Sequence, residues 1–215
     1  MTVEQCNATV ERAVNRLIGE MNAEAFGEMN EATLQHHLAL YIHLDALREG
    51  EPSINMTIEK KVRRDGQQPF PKKNSLTAGI DVFFKQEDET GCAIELKCFH
   101  AANQREPNNR YDAYADLANL ETYLQEHANV GYLVLITDHK HYFDPAFREH
   151  RADTRDFCLR PEHRYLAGTE LIYRKDPPYG APIILENDYL FGWRNDGHRW
   201  RVLVVQVGPE RNLQG

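Results

Sequence analysis

Apolar and polar positions along this chain fall into helical, alternating and continuous runs, and each run predicts an element. Residues 3 to 22 carry Val10, Val14, Leu17, Ile18 and Met21 at helical spacing, which predicts an amphipathic helix. Asn30 stands as the N-cap of a second helix running to about Arg48, with Leu34, Leu38, Tyr41, Ile42 and Leu44 on its buried side. After Gly50-Glu51-Pro52, the segment Ile54 to Val62 alternates as a strand. Two short apolar runs, Gly79 to Phe84 and Cys92 to Cys98, flank a charged turn and predict an antiparallel hairpin. Tyr111 to His127 reads as a helix with the stripe Tyr114, Leu117, Leu120 and Leu124. Gly131 to Asp138 is a continuous apolar run bounded by turn residues, the pattern of a strand buried on both faces. Asp144 to Arg164 is dense in both charge signs and predicts a short surface helix or a loop. Tyr189 to Arg194 and Arg199 to Val207, joined at Asn195-Asp196-Gly197, predict a second hairpin.

The register of the first hairpin is where chemistry enters. With the turn centred on Asp88, Phe84 faces Cys92, Val82 faces Ile94 and Ile80 faces Leu96, giving one apolar face. The opposite face sets Asp81 across from Glu95 and Gly79 across from Lys97, and puts Glu95 and Lys97 on one side of their strand. Opposed like charges destabilise a sheet, and a one-residue slip would turn them toward the core. A hard divalent cation reconciles two close carboxylates, and a neighbouring lysine can hold an attacking water.

Asp81, thirteen intervening residues and then Glu95-Leu96-Lys97 resemble the PD-(D/E)XK nuclease superfamily, with Ile80 where proline is common. The resemblance covers roughly residues 30 to 142. It implies an α/β restriction-endonuclease-like core, helix–β–β–β–helix–β, with a mixed central sheet flanked by helices. The chain is then one nuclease-like domain over 1–215, with an N-terminal helix at 3–22 and a C-terminal extension, including the β-hairpin, over 143–215. It also implies a Mg²⁺- or Mn²⁺-dependent nuclease that hydrolyses phosphodiester bonds of nucleic acid, DNA being the expected polymer. Asp81, Glu95 and the Leu96 carbonyl are the implied metal ligands, and Lys97 orients or activates water, with its pKa expected to fall beside the ion. The resemblance further suggests Glu31 on the first core helix as a catalytic carboxylate, with Gln35 second and Glu59 on the first strand as another candidate. The competing expectation is a nuclease fold retained for DNA binding or protein interaction without turnover. A homodimer, or a partner subunit that supplies specificity, is compatible with either.

Composition adjusts this picture in two ways. The net charge of −8 runs against a simple nucleic-acid binder, yet Lys60, Lys61, Arg63, Arg64, Lys72 and Lys73 make a local basic strip. That strip reads equally as a nucleic-acid contact or as a solvated edge strand. No apolar run approaches a membrane span, and four scattered cysteines fit a cytoplasmic, reducing setting. Cys98, His100, His139 and His141 follow no structural zinc spacing, so no zinc is assigned to them. Trp193 and Trp200, beside Arg194, Arg199 and Arg201, are candidates for base stacking or for packing.

Overall fold

The computed structural model describes residues 1–27, 29–48, 54–64, 69–86, 91–103, 105–144, 154–194 and 197–209. The centre of the first hairpin turn, residues 65–68 of the basic strip and most of the second turn lie outside this set, as does the side chain of Lys73.

Helix α1 (Val3–Asn22) starts at a capping box in which Thr2 and Gln5 satisfy each other's backbone amides. Helix α2 (Glu31–Arg48) begins where the Thr33 amide donates to Asn30 Oδ1 at 2.9 Å, the cap expected from the sequence. Strands β1 (Asn55–Arg63), β2 (Thr77–Lys85) and β3 (Cys92–Phe99) follow, then α3 (Glu106–Glu126) and β4 (Val130–Thr137). The order helix–β–β–β–helix–β therefore stands as the hydrophobic pattern predicts. Short strands β5 (Arg164–Tyr165), β6 (Tyr189–Leu190) and β7 (Trp193–Arg194) precede the longer β8 (Arg201–Val207).

Six strands form one mixed sheet in the order β1-β2-β3-β4-β8-β7. β3 and β4 run parallel, joined by the α3 crossover, and their full lengths pair from Cys92–Val130 to Phe99–Thr137. The expected second hairpin forms over its turn-proximal part, where Trp193 pairs with Leu203 and Arg194 with Val202. Beyond it, β8 pairs antiparallel with β4 from Gly131 to Thr137, and β6 pairs with β5 instead. The apolar run Val202 to Val205 gives β8 the character of an interior strand, and it occupies the edge that β4 would otherwise expose.

Helices cover both faces of the sheet. Leu17, Leu34, Leu38 and Ile42 of α1 and α2 meet Val82, Ile94, Leu96 and Val134 on one face. Tyr114, Leu117 and Leu120 of α3 meet Phe83, Leu133, Leu135 and Leu203 on the other. The chain after β4 then crosses the outside of α3, where Phe157, Leu159, Tyr173 and Phe191 join the same core. Of the Asp144 to Arg164 segment, residues 145–153 lie outside the described set; in the rest, Phe157 and Leu159 are fully buried, which corrects the surface expectation there. The crossing also explains why α3 is buried almost all round from Asn109 to Tyr123. Trp200 is buried on the α1 side, with its backbone held by Asn22, and Trp193 donates its indole N–H to the Leu159 carbonyl at 2.6 Å. Both tryptophans pack. Among the described residues, no helix is long and apolar enough to cross a membrane.

Candidate functional site

The hairpin register is observed as expected where the strands are paired: Val82 faces Ile94, Phe83 faces Ala93 and Phe84 faces Cys92. Beyond Val82 the ladder between β2 and β3 stops. There the Leu96 amide donates to Asp81 Oδ2 at 2.8 Å, so a side chain takes a backbone position. Ile80 departs from the expected face. Val82 and Phe84 belong to the core under α1 and α2, whereas Ile80 lies in the core under α3. The same change of face occurs on β1, where Met56 and Ile58 pack on one side and Val62 on the other. Between them Glu59 has φ +54°, a left-handed conformation for a residue with a side chain. The alternation of two strands resets at one level, and Asp81 sits at that level.

Asp81, Glu95 and Lys97 line one cavity of about 450 Å³, together with Glu31, Glu59 and Lys61 at its margins. Lys97 Nζ is the charge focus. It donates to the Leu96 carbonyl at 2.7 Å and lies 3.2 Å from Glu31 Oε1 and 3.4 Å from Asp81 Oδ2. Two further residues, not singled out as site residues in the sequence, complete the arrangement. Asp116 of α3 is wholly buried and approaches Lys97 Nζ at 3.6 Å through Oδ2. Its Oδ1 pairs with Lys72 Nζ at 2.5 Å, and Lys72 arrives on a 3-10 turn between β1 and β2. Gln35 is buried but does not line the cavity; Glu31, one turn earlier, does.

The electrostatics are unbalanced. Five acids and three lysines line the cavity, so acidic groups outnumber basic ones. Glu95 is 3% exposed and its Oε1 has no hydrogen-bond partner. Burial, then the charges of Asp116 and Asp81, push its carboxyl well above the ordinary range, and Lys97 and Lys72 offset this only in part. Glu31 is raised by burial and by Asp81, against the pull of Lys97. The Tyr123 phenol beside Glu95 is driven upward by burial and by the same negative charge. Lys97 moves opposite to the sequence expectation. Desolvation opposes its charge, but Asp116, Asp81, Glu95 and Glu31 together hold its ammonium well above the usual lysine value. The expected fall presupposed a neighbouring cation; the protein alone surrounds Lys97 with anions.

These observations test whether a hard cation fits. The donor set is all oxygen, two buried carboxylate oxygens, Glu95 Oε1 and Asp116 Oδ2, lack a hydrogen-bond partner, and a lysine ammonium stands among the carboxylates where positive charge is needed. The residues fit such an ion.

The basic strip divides. Arg64 is buried against Gln125 and Glu126, Lys72 is committed to Asp116, and Lys60 lies over the Phe83 ring at 3.2 Å. Lys61 stays exposed on β1, the edge strand, 3.8 Å from Glu59.

No family model and no curated protein matches the sequence. Among solved structures, one titled "Crystal structure of SSO0001" is similar over 60% of this chain, at 18% identity and a TM-score of 0.27. The chain spans 60% of the length of that protein.

Proposed function

We propose that this protein is a Mg²⁺- or Mn²⁺-dependent phosphodiesterase of the PD-(D/E)XK type, acting on nucleic acid with DNA as the polymer tested first. The observation that carries this reading is the buried Glu95 carboxylate with its orphaned oxygen, placed beside Asp81 and Asp116 and one lysine ammonium. Asp81 and Glu95 would hold the ion, with Asp116 within the same charge cluster. The Leu96 carbonyl, which accepts from Lys97 at 2.7 Å, would be the backbone oxygen among the holders. When bound, such an ion offsets negative charge developing on the phosphoryl oxygens.

The chain's own residues supply the rest. Lys97 Nζ, held in the cavity between Glu31 and Asp81, can donate to the attacking water and to a phosphate oxygen, orienting in-line attack. Glu31, 3.2 Å from that ammonium, keeps it charged and turned into the cavity. Asp116 steadies both lysines from below. At the cavity margin, Lys61 and the hydroxyl-bearing Ser75 and Thr77 are suited to backbone phosphates rather than to bases.

The test is cleavage of single-stranded, double-stranded and branched DNA, and of RNA, in Mg²⁺, Mn²⁺ or EDTA. Wild type is compared with Lys97→Ala and Asp81→Asn. Metal-dependent cutting by wild type, lost in both variants, supports the proposal. Metal-independent cutting, or cutting retained in both variants, refutes it. Binding of DNA without turnover in any metal favours the non-catalytic module.

A further inference from the structure

Outside the carboxylate cavity, the first turn of α3 and the exit of β4 bring together Glu106, His139 and His141. Each offers one ligand atom, and the three lie within 4.8 Å of one another. We propose that these residues form a second metal site, for a divalent transition metal such as Zn²⁺, with the remaining position open to water. It is independent of the nuclease reading.

The donor set suits the ion. Two imidazoles and one carboxylate are a recognised zinc combination, and imidazole favours zinc over the hard cations that all-oxygen sites select. Nothing in the linear spacing discloses it, because the carboxylate comes from a helix more than thirty residues before the histidines. The grouping forms because β4 ends at Thr137, whose hydroxyl takes the His139 amide at 3.0 Å, and a 3-10 turn then carries His141 back beside His139. Their ring centroids are 4.5 Å apart, and the buried Tyr142 ring stands edge-on to His139 at 5.3 Å.

The surroundings orient the ligands. Arg110, 3% exposed, donates from Nε and a terminal nitrogen to Glu106 Oε1 at 3.1 and 2.9 Å, and also to the His141 carbonyl at 2.9 Å. That fork claims one carboxylate oxygen and directs the other, Oε2, to His141 Nδ1 at 2.8 Å. His139 Nδ1 accepts from the His141 amide at 3.2 Å, so this nitrogen carries a lone pair. The arginine contacts lie outside the three ligands and orient them, as outer hydrogen bonds do at metal sites, while the Glu106–His141 bond holds two ligands together until an ion replaces it. Bond lengths of about 2.0–2.2 Å to zinc require the three ligand atoms to draw in by side-chain rotation.

The experiment uses the full chain carrying Asp81→Asn and Glu95→Gln, so that the carboxylate cavity does not compete. Co²⁺ is titrated as a spectroscopic stand-in for Zn²⁺, with visible absorption reporting the ligand field and Zn²⁺ added to displace it. The proposal predicts one equivalent of Co²⁺ giving visible bands that Zn²⁺ abolishes, and at least a tenfold loss of affinity when His139→Ala and His141→Ala are added. Absence of the bands before those changes, or unchanged stoichiometry and affinity after them, overturns it. Circular dichroism checks each variant's fold, and His141→Gln alone is read by the same criterion should the double replacement unfold.

Discussion

Replacing Glu95 by glutamine is expected to stabilise the metal-free protein, although Glu95 lies at the centre of the proposed site. The carboxylate is buried, one oxygen lacks a partner, and Asp116 and Asp81 add like charge. Its folded-state pKa therefore lies above its unfolded value. Between those two values the unfolded chain has lost a proton that the native state retains, so stability falls as pH rises through the window. The window opens near the ordinary value of 4.5 and extends upward to Glu95's raised value. Glu95→Gln removes the charge, keeps the shape and presents N–H donors to neighbouring carboxylates. An unsatisfied buried group costs about 1–3 kcal/mol, more when charged. The expected gain at pH 8 is thus about 1–3 kcal/mol, or roughly 2–4 °C in Tm per kcal/mol for a chain of this size. Thermal melts in EDTA from pH 4 to 8 should show the two proteins converging at the acid end and separating as pH rises. Lys97, raised above 10.5, titrates outside this range. A variant less stable than wild type at pH 8, or a difference independent of pH, would refute the reasoning.

Three further outcomes follow from the packing around the site. Asp116→Asn leaves Lys72 and Lys97 with a weaker anchor and should lower cleavage by tenfold or more while DNA affinity changes little, read by single-turnover kinetics beside equilibrium binding. Trp200→Ala should cost about 3–5 kcal/mol in urea unfolding, because the ring is buried; a selective loss of DNA affinity at unchanged stability would restore the stacking role. Glu121→Ala should loosen the C-terminal segment from α3, since its carboxylate accepts from the Glu186 and Asn187 amides and the Tyr189 hydroxyl. Stranding these donors costs about 1–3 kcal/mol each, and faster proteolysis within residues 154–194 is the readout.

Much of the scaffold was legible because its elements advertise their periods. α1 matches its predicted ends, and β1 through β4 appear in the expected order. Alternation fixed the Val82–Ile94 register because a slip would have buried charge. The phase change at Glu59 and Asp81 escaped the same logic, since a left-handed residue that is not glycine carries no compositional signal. Asp81, Glu95, Lys97 and Glu31 line one cavity. Asp116 was hidden by reading α3 through its apolar stripe alone. Asp112, Asp116 and Asn119 share a polar line on a helix that the later chain buries all round, and that line was the available sign. Lys72 was grouped with a basic strip because only the folded 3-10 turn directs it inward. The apolar stripe places the start of α3 at Tyr111, whereas Pro107 marks the observed first turn, which begins at Glu106.

The central claim is that the Glu95 cavity takes one hard divalent cation. Mn²⁺ titration followed by electron paramagnetic resonance tests it directly, with wild type beside Glu95→Gln. The account predicts one Mg²⁺-displaceable equivalent bound by wild type and lost in the variant, whatever the histidine cluster binds. Equal Mn²⁺ binding by both proteins, or none by wild type, would contradict it.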